Sequence, residues 1–157
     1  MTIAIHGLPV ARGIAIGRAV MVASSRVEVV HDFIEPGQVE AEVARLRAAR
    51  GAVVAELQRM QRELPRDVPP ELTALLDVHL MLLQDEVITA GVRQWITERH
   101  YNAEWALVSQ LEVLTRQFDE MEDAYLRERK ADLEQVVERV LRRLKGQAPP
   151  VALAAPR

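Results

Sequence analysis

Histidine is the residue type in this chain with the widest chemical range, and there are four: His6, His31, His79 and His100. A helical protein that binds two metal ions needs paired Glu-x-x-His elements on facing helices. That spacing occurs once, from Glu28 to His31, in a stretch whose residue types favour a strand. The chain has no cysteine to supply a thiolate ligand or nucleophile. We therefore expect no metal site.

The glycines and serines form none of the loops that cradle phosphate or present a nucleophilic serine. The strings G-x-x-x-x-G-K-[S/T], G-x-G-x-x-G and G-x-S-x-G are absent. From these patterns we expect no catalytic residue and no cofactor in this chain.

The segment around His79 carries more apolar residues than one buried helix face can use. Six leucines and a methionine surround His79: Leu72, Leu75, Leu76, Leu80, Met81, Leu82 and Leu83. Two interpretations stay open. Either His79 is a boundary residue beside ordinary core leucines, or the surplus forms an exposed apolar patch. An acidic border of Asp77, Asp85 and Glu86 would make such a patch a docking face for a basic partner.

Most of the chain has the periodicity of amphipathic helices. Apolar residues recur at alternating spacings of four and three positions from Val39 to Leu64. Arg50 interrupts this repeat once, at a position where an apolar residue is expected. This pattern predicts a first helix from about Gln38 to Leu64. The apolar residues of this seam include Val39, Val43, Leu46, Val53 and Leu57.

Turn and cap residues divide the remaining chain. Pro70 can occupy the first turn of a second helix. A shorter helix follows from about Asp85, and its apolar residues are Val87, Ile88, Val92, Trp95 and Ile96. Asn102 is suited to cap a third long helix. The acidic cluster at 119–123 is suited to the first turn of a fourth, which runs to about Lys145. We predict a mainly α fold: an up-and-down bundle of two helical hairpins, with long helices of about 25 residues plus a short extra helix.

The two ends of the chain differ from its helical middle. Ile14–Val22 and Val27–His31 are rich in β-branched residues and predict strands, but the chain offers no further strands to complete a sheet. Residues 147–157, rich in alanine and proline, predict a disordered tail. The predicted division is a strand segment at 1–34, a helical domain at 35–146 and a tail at 147–157.

Composition excludes several classes of protein. At 157 residues the chain has room for one ordinary domain. A net charge of −3 gives no electrostatic case for nucleic-acid binding, and no apolar run approaches the ~20 residues of a membrane span. The lack of cysteine fits a reducing compartment, so we expect a cytoplasmic protein.

Four ordered blocks carry a family resemblance. They are Gly7 to Ala19 (GLPVARGIAIGRA), His79 to Glu86 (HLMLLQDE), Asn102 to Ala106 (NAEWA) and Asp123 to Leu133 (DAYLRERKADL). Together they resemble the N-terminal region of enzyme I, the phosphoenolpyruvate–protein phosphotransferase of the bacterial sugar or nitrogen phosphotransferase system. The resemblance extends from about Ile5 to Gly146.

The resemblance implies a helical domain that docks HPr, the small histidine phosphocarrier. Carried over by position, the implied binding face comprises Glu71, Leu75, Asp77, His79, Met81, Leu82, Asp85 and Glu86, joined by Phe118, Leu126 and Arg129. In that family the phosphorylated histidine follows Thr-Ser in a later α/β domain, and phosphoenolpyruvate and Mg²⁺ bind a barrel further downstream. No histidine here follows Thr-Ser, so the resemblance implies docking without catalysis.

The resemblance leaves three hypotheses. The chain is a docking module for an HPr-type carrier, or it supplies part of a phosphotransferase whose other domains pair with its N-terminal strands, or it self-associates through the seam of the first helix without a carrier. Whether it is a truncated gene product, a stand-alone paralogue or a fragment stays open at this point.

Overall fold

The structure is a computed structural model that describes residues 16–17, 27–120 and 124–146, with the side chains of 124–128 excepted. The predicted tail and most of the first predicted strand, Ile14–Val22, lie outside the described residues. Five α-helices follow a short 3₁₀ turn at Pro36–Gln38: α1 (Val39–Glu63), α2 (Pro70–Gln84), α3 (Glu86–Arg99), α4 (Ala103–Asp119) and α5 (Ala124–Leu144). The prediction of a mainly α bundle is confirmed.

Local capping explains where the helices begin. Pro70 is the first residue of α2, where its missing N–H costs no hydrogen bond. Asp85 has extended backbone between α2 and α3, and its Oδ1 accepts the Val87 N–H at 2.7 Å. Asn102 caps α4 by accepting the Trp105 N–H at 3.2 Å. The predicted starts of the second, short and third long helices are therefore confirmed to within a residue or two.

The predicted uniform length is wrong, and so is the placement of Asp119 and Glu120 in the first turn of the last helix. Residues 121–123 of that acidic cluster lie outside the described residues. Only α1 has 25 residues; α2 has 15, α4 has 17 and α5 has 21. Asp119 is the last residue of α4 rather than part of the first turn of α5, and the Glu120 N–H still bonds to the Arg116 carbonyl. The Asp119 carboxylate instead pairs with Lys130 of α5 at 2.7 Å, which links the two helices.

Residues 27–35 pair with the turn between α3 and α4, not with a strand. The predicted strand Val27–His31 has no ladder, and among the described residues the one β-bridge joins Phe33 to Tyr101. The Ile34 N–H donates to the His100 carbonyl at 2.8 Å. Within the described part of the chain this stretch lies beside the connection between α3 and α4 and not beside a strand, so its pairing with a further domain stays a prediction.

An ionic cluster fastens α1 to the beginning of α4. Arg45 of α1 donates to both carboxylate oxygens of Glu104 and also to Glu42, while Glu42 accepts the Ala103 N–H at 2.7 Å. Burial opposes ionisation of Glu42, but the hydrogen bonds from Arg45 and Ala103, with the Arg45 charge, outweigh it and lower its pKa. Hydrogen bonds to Glu104 and Glu42 raise the pKa of Arg45 above its ordinary value.

The core is built from side chains of all five helices, with α5 packed against α1, α2 and α4. Its buried apolar members are Ala49, Val53, Leu57, Leu76, Leu83, Val92, Ile96, Ala103, Ala106, Leu107, Leu133, Val136, Val137, Val140 and Leu141. Among the residues that the structure describes, no helix has both the length and the hydropathy needed to cross a membrane.

The seam of α1 is part of this core. Val53 and Leu57 are buried in it, and Val39, Val43 and Leu46 pack against it while partly buried. A surface used inside one bundle is not free to join two copies. The hypothesis of self-association through this seam therefore loses its structural basis.

Candidate functional site

An exposed surface runs along α2 and into the first turn of α3. Six of the side chains predicted for the binding face lie exposed there, and Leu82 is half-buried: Glu71, Leu75, Asp77, Met81, Asp85 and Glu86 are the exposed six. Glu71, Leu75 and Leu82 share one stripe of α2, and Asp77 and Met81 share the next, because residues four or seven apart lie on the same side of a helix. We call these seven residues the α2 surface.

The apolar part of this surface is unusually open to solvent. Met81 is 56% exposed and Leu75 38% exposed. Val87, which the periodicity assigned to the apolar face of α3, is 69% exposed beside Glu86 and so extends the same surface. Periodicity alone missed Val87 because a first-turn residue can belong to a helix's apolar stripe and still lie beyond the end of the core. Exposed apolar side chains of this size, ringed by charge, indicate an interaction surface.

Four carboxylates border the apolar residues, and two of them are held in place. Asp77 accepts a hydrogen bond from Gln61 Nε2 of α1 at 2.6 Å, and Asp85 is the cap of α3. Glu71 and Glu86 make no side-chain hydrogen bond or ion pair to any other described residue. The border therefore combines two fixed negative charges with two that are available to a partner.

His79 is buried and does not belong to the α2 surface. It is 2% exposed and faces α5, where Asp132 Oδ1 lies 3.7 Å from its Nε2. That distance is too long for a hydrogen bond, and neither ring nitrogen has a hydrogen-bond partner. The prediction that His79 forms part of the binding face is corrected: α5 covers the side of α2 that carries it. Burial lowers the pKa of His79, and the Arg139 charge adds to this, while Asp132 opposes both without overcoming them.

We expect His79 to make the protein less stable in mild acid. Because the folded-state pKa of His79 lies below the ordinary histidine value of 6.5, the unfolded chain binds this proton more readily. The contribution to the free energy of unfolding is constant above that value. This contribution falls as the pH drops below 6.5, by at most ~1.4 kcal/mol per pH unit for one proton, until the pH passes the folded-state pKa.

Urea unfolding at pH 7, 6 and 5 measures this effect. The variant H79L removes the titrating ring, and its free energy of unfolding should fall less between pH 7 and 5 than that of the parent chain. An H79L profile that parallels the parent's would contradict the assignment.

The three remaining predicted residues come from the junction of α4 and α5. Phe118 is half-buried and packs against the core, so it supports the bundle more than it faces solvent. Arg129 is half-buried and lies one turn before Asp132, the α5 residue that faces His79; it is therefore on the side of α5 that meets α2. Leu126 belongs to α5, but its side chain lies outside the described part.

The described residues contain no cluster of three histidine, aspartate or glutamate side chains placed to hold a metal ion. The composition of the α2 surface is suited to recognition. Apolar side chains supply contact area, and carboxylates supply charge around it.

Comparison with known sequences places the chain beside phosphoenolpyruvate-using enzymes. The family described as "PEP-utilising enzyme, N-terminal" matches residues 6–129. The phosphoenolpyruvate-protein phosphotransferase of Cupriavidus necator is 55% identical over 156 residues, which cover 99% of this chain and 26% of the relative. The phosphoenolpyruvate-protein phosphotransferase of Priestia megaterium is 32% identical over 146 residues, which cover 93% of this chain and 25% of the relative. The chain thus spans about a quarter of the length of these curated relatives.

Solved structures show the same fold. An NMR solution structure of enzyme I superposes with a TM-score of 0.71 at 27% identity, covering 78% of this chain and 49% of that one. A structure of the N-terminal domain of a nitrogen enzyme I superposes with a TM-score of 0.68 at 25% identity, covering 76% and 49%.

Proposed function

Because this chain belongs to the PEP-utilising enzyme N-terminal family, with enzyme I N-terminal domains among its solved relatives, we propose that its helical bundle docks an HPr-type histidine phosphocarrier. The observation that carries the proposal is the α2 surface. It presents exposed Met81 and Leu75 inside a border of carboxylates, at the position where the family resemblance expects the carrier.

The two kinds of residue on this surface perform different parts of recognition. Burial of an exposed apolar side chain such as Met81 contributes about 1.5–3 kcal/mol to the free energy of binding. The apolar contact also persists in the complex. The carboxylates of Glu71 and Glu86 attract a carrier whose surface is basic around its active histidine and raise the rate of encounter. Such encounters weaken as salt screens the charges.

The proposed role is docking without phosphoryl transfer in this segment. None of its histidines follows Thr-Ser, and His79, the histidine of α2, is only 2% exposed. We assign the phosphohistidine, phosphoenolpyruvate and Mg²⁺ chemistry to other regions of the family's longer proteins. We further propose that residues 1–34 contribute strands to a neighbouring α/β domain. The proposed function takes place in the cytoplasm.

NMR titration tests the docking proposal. Unlabelled HPr-type carrier is added to the ¹⁵N-labelled chain, in separate series with a sugar-system and a nitrogen-system protein. We expect saturable amide shifts concentrated between Glu71 and Val87, and an affinity that falls several-fold between 50 and 500 mM NaCl. Absence of shifts at millimolar concentrations of both carriers would overturn the proposal, as would shifts that avoid α2 and α3.

A charge variant distinguishes attraction by the acidic border of the α2 surface from an effect of the chain's net negative charge. E86Q should lower the affinity about threefold at low salt and flatten its salt dependence, since one border charge is removed. E98Q removes the same charge at the far end of α3, where Glu98 is also exposed, and should bind like the parent. Equal losses in E86Q and E98Q would show that net charge, not this border, governs binding.

A further inference from the structure

A cavity of about 210 Å³ opens between α1, α3 and α5 and reaches the hydrophobic core. Its inner wall includes Leu107, Val136 and Val137, all of them buried core side chains. At its mouth it touches the α2 surface only through Leu82 and Glu86. The recess is therefore a separate feature, with an apolar interior that the docking proposal does not use.

Three arginines line this mainly apolar recess. Arg47 and Arg50 lie three residues apart on α1, and Arg93 faces them from α3. Within the described part of the chain, none of the three has a carboxylate oxygen within 4.0 Å. Glu86 is the one acidic residue in the lining, so three positive charges meet one negative charge.

Arg50 is the most informative of the three. It occupies the place in the α1 repeat where an apolar residue would continue the stripe, and it is half-buried there. Arg47 and Arg93 are exposed and Arg50 is half-buried, and a guanidinium group next to apolar side chains gains from an anion that pairs with it. Its planar, forked N–H donors match a carboxylate, which two parallel hydrogen bonds can hold.

We propose that this cavity binds a small amphiphilic carboxylate, with its apolar body against the core and its carboxylate at the arginines. Size limits the body. An apolar protein cavity of about 150 Å³ holds benzene, so about 210 Å³ accommodates a phenyl-sized body with a short linker. The ligand class is therefore an aryl- or short alkyl-carboxylate.

Methyl NMR with 3-phenylpropanoate tests the proposal on the full chain, without any carrier protein. We expect saturable shifts of the Leu107, Val136 and Val137 methyl groups. The neutral 3-phenylpropanamide and the cationic 3-phenylpropylamine have the same body and should bind at least about tenfold more weakly, because they lose the charge-assisted hydrogen bonds. Unshifted core methyls at the highest soluble concentration would overturn the site. Equal binding of acid, amide and amine would overturn the role of the arginines.

Matched arginine variants on one helix give the second test. R50Q should weaken binding of 3-phenylpropanoate by about tenfold. R59Q removes the same charge from an exposed position of α1 outside the cavity and should bind like the parent. Circular dichroism verifies that both variants keep the bundle. Equal affinities of R50Q and R59Q would contradict the site, whatever the outcome of the carrier titration.

Discussion

Replacement of Met81 by aspartate is expected to lower the affinity for the HPr-type carrier by about 100-fold. Met81 is 56% exposed within the α2 surface, so it is available to a partner without any rearrangement. The variant exchanges an apolar contact for a carboxylate that the complex would desolvate within the apolar part of the interface, beside carboxylates that are already present. Loss of an apolar anchor and desolvation of an unpaired charge are each worth one to several kcal/mol, and about 2.7 kcal/mol corresponds to 100-fold.

Calorimetric titration of the carrier into M81D measures this loss. The fold should persist because the side chain is already exposed; poorer helix propensity and an acidic group near the C-terminus of α2 cost about 1 kcal/mol or less. V30D is the matched control: Val30 is 55% exposed, in the segment before α1, and the variant should bind like the parent. Binding of M81D within twofold of the parent would remove Met81 from the interface.

The variant L57A is expected to lower the free energy of unfolding by about 3–4 kcal/mol. Leu57 is fully buried on α1, the helix that packs against both α2 and α5. Truncation to alanine loses the transfer free energy of three carbon atoms and leaves a cavity that the surrounding helices fill only in part. Since a domain of this size is stable by about 5–15 kcal/mol, the loss is a large share of the total.

Equilibrium urea unfolding at pH 7, above the range in which His79 titrates, measures this change. The matched control is L72A, the same truncation at a leucine of α2 that is 40% exposed, and it should cost less than about 1 kcal/mol. Similar losses in L57A and L72A would contradict the placement of Leu57 in the core. A folded but destabilised L57A should still bind the carrier at low temperature, because Leu57 lies outside the α2 surface.

Much of the architecture was accessible from the order of residues. Apolar residues spaced three and four positions apart predicted the helices, and Pro70 and Asn102 predicted two of the helix starts. Both signals work because capping and periodicity depend on neighbours within a few positions. The same reasoning assigned Asp119 to the first turn of α5, whereas Asp119 is the last residue of α4. An acidic cluster satisfies either a helix N-terminus or a salt bridge across a turn, and in the structure Asp119 pairs with Lys130.

The candidate surface was only partly accessible in this way. Surplus leucine and methionine in α2 left open either ordinary core leucines or an exposed apolar patch, and Met81 and Leu75 are exposed in the structure. His79 was assigned to the wrong side and Val87 was assigned to the apolar face of α3. A helix that is apolar around most of its circumference has no single stripe by which periodicity can choose its buried side.

Local sequence thus defined the helices, most of their ends and the family, since those depend on side chains close together along the chain or on ordered blocks of residues. The packing of α5 and α1 against α2 settled which side of α2 became interior, and it buried His79 opposite Asp132 while leaving Met81 in solvent. It also brought Arg47 and Arg50 of α1 to the same recess as Arg93 of α3. The juxtaposition of His79 with Asp132 and of Arg47 with Arg93 joins residues more than 40 positions apart, so these placements follow from how whole helices fill space around one core and not from any local pattern.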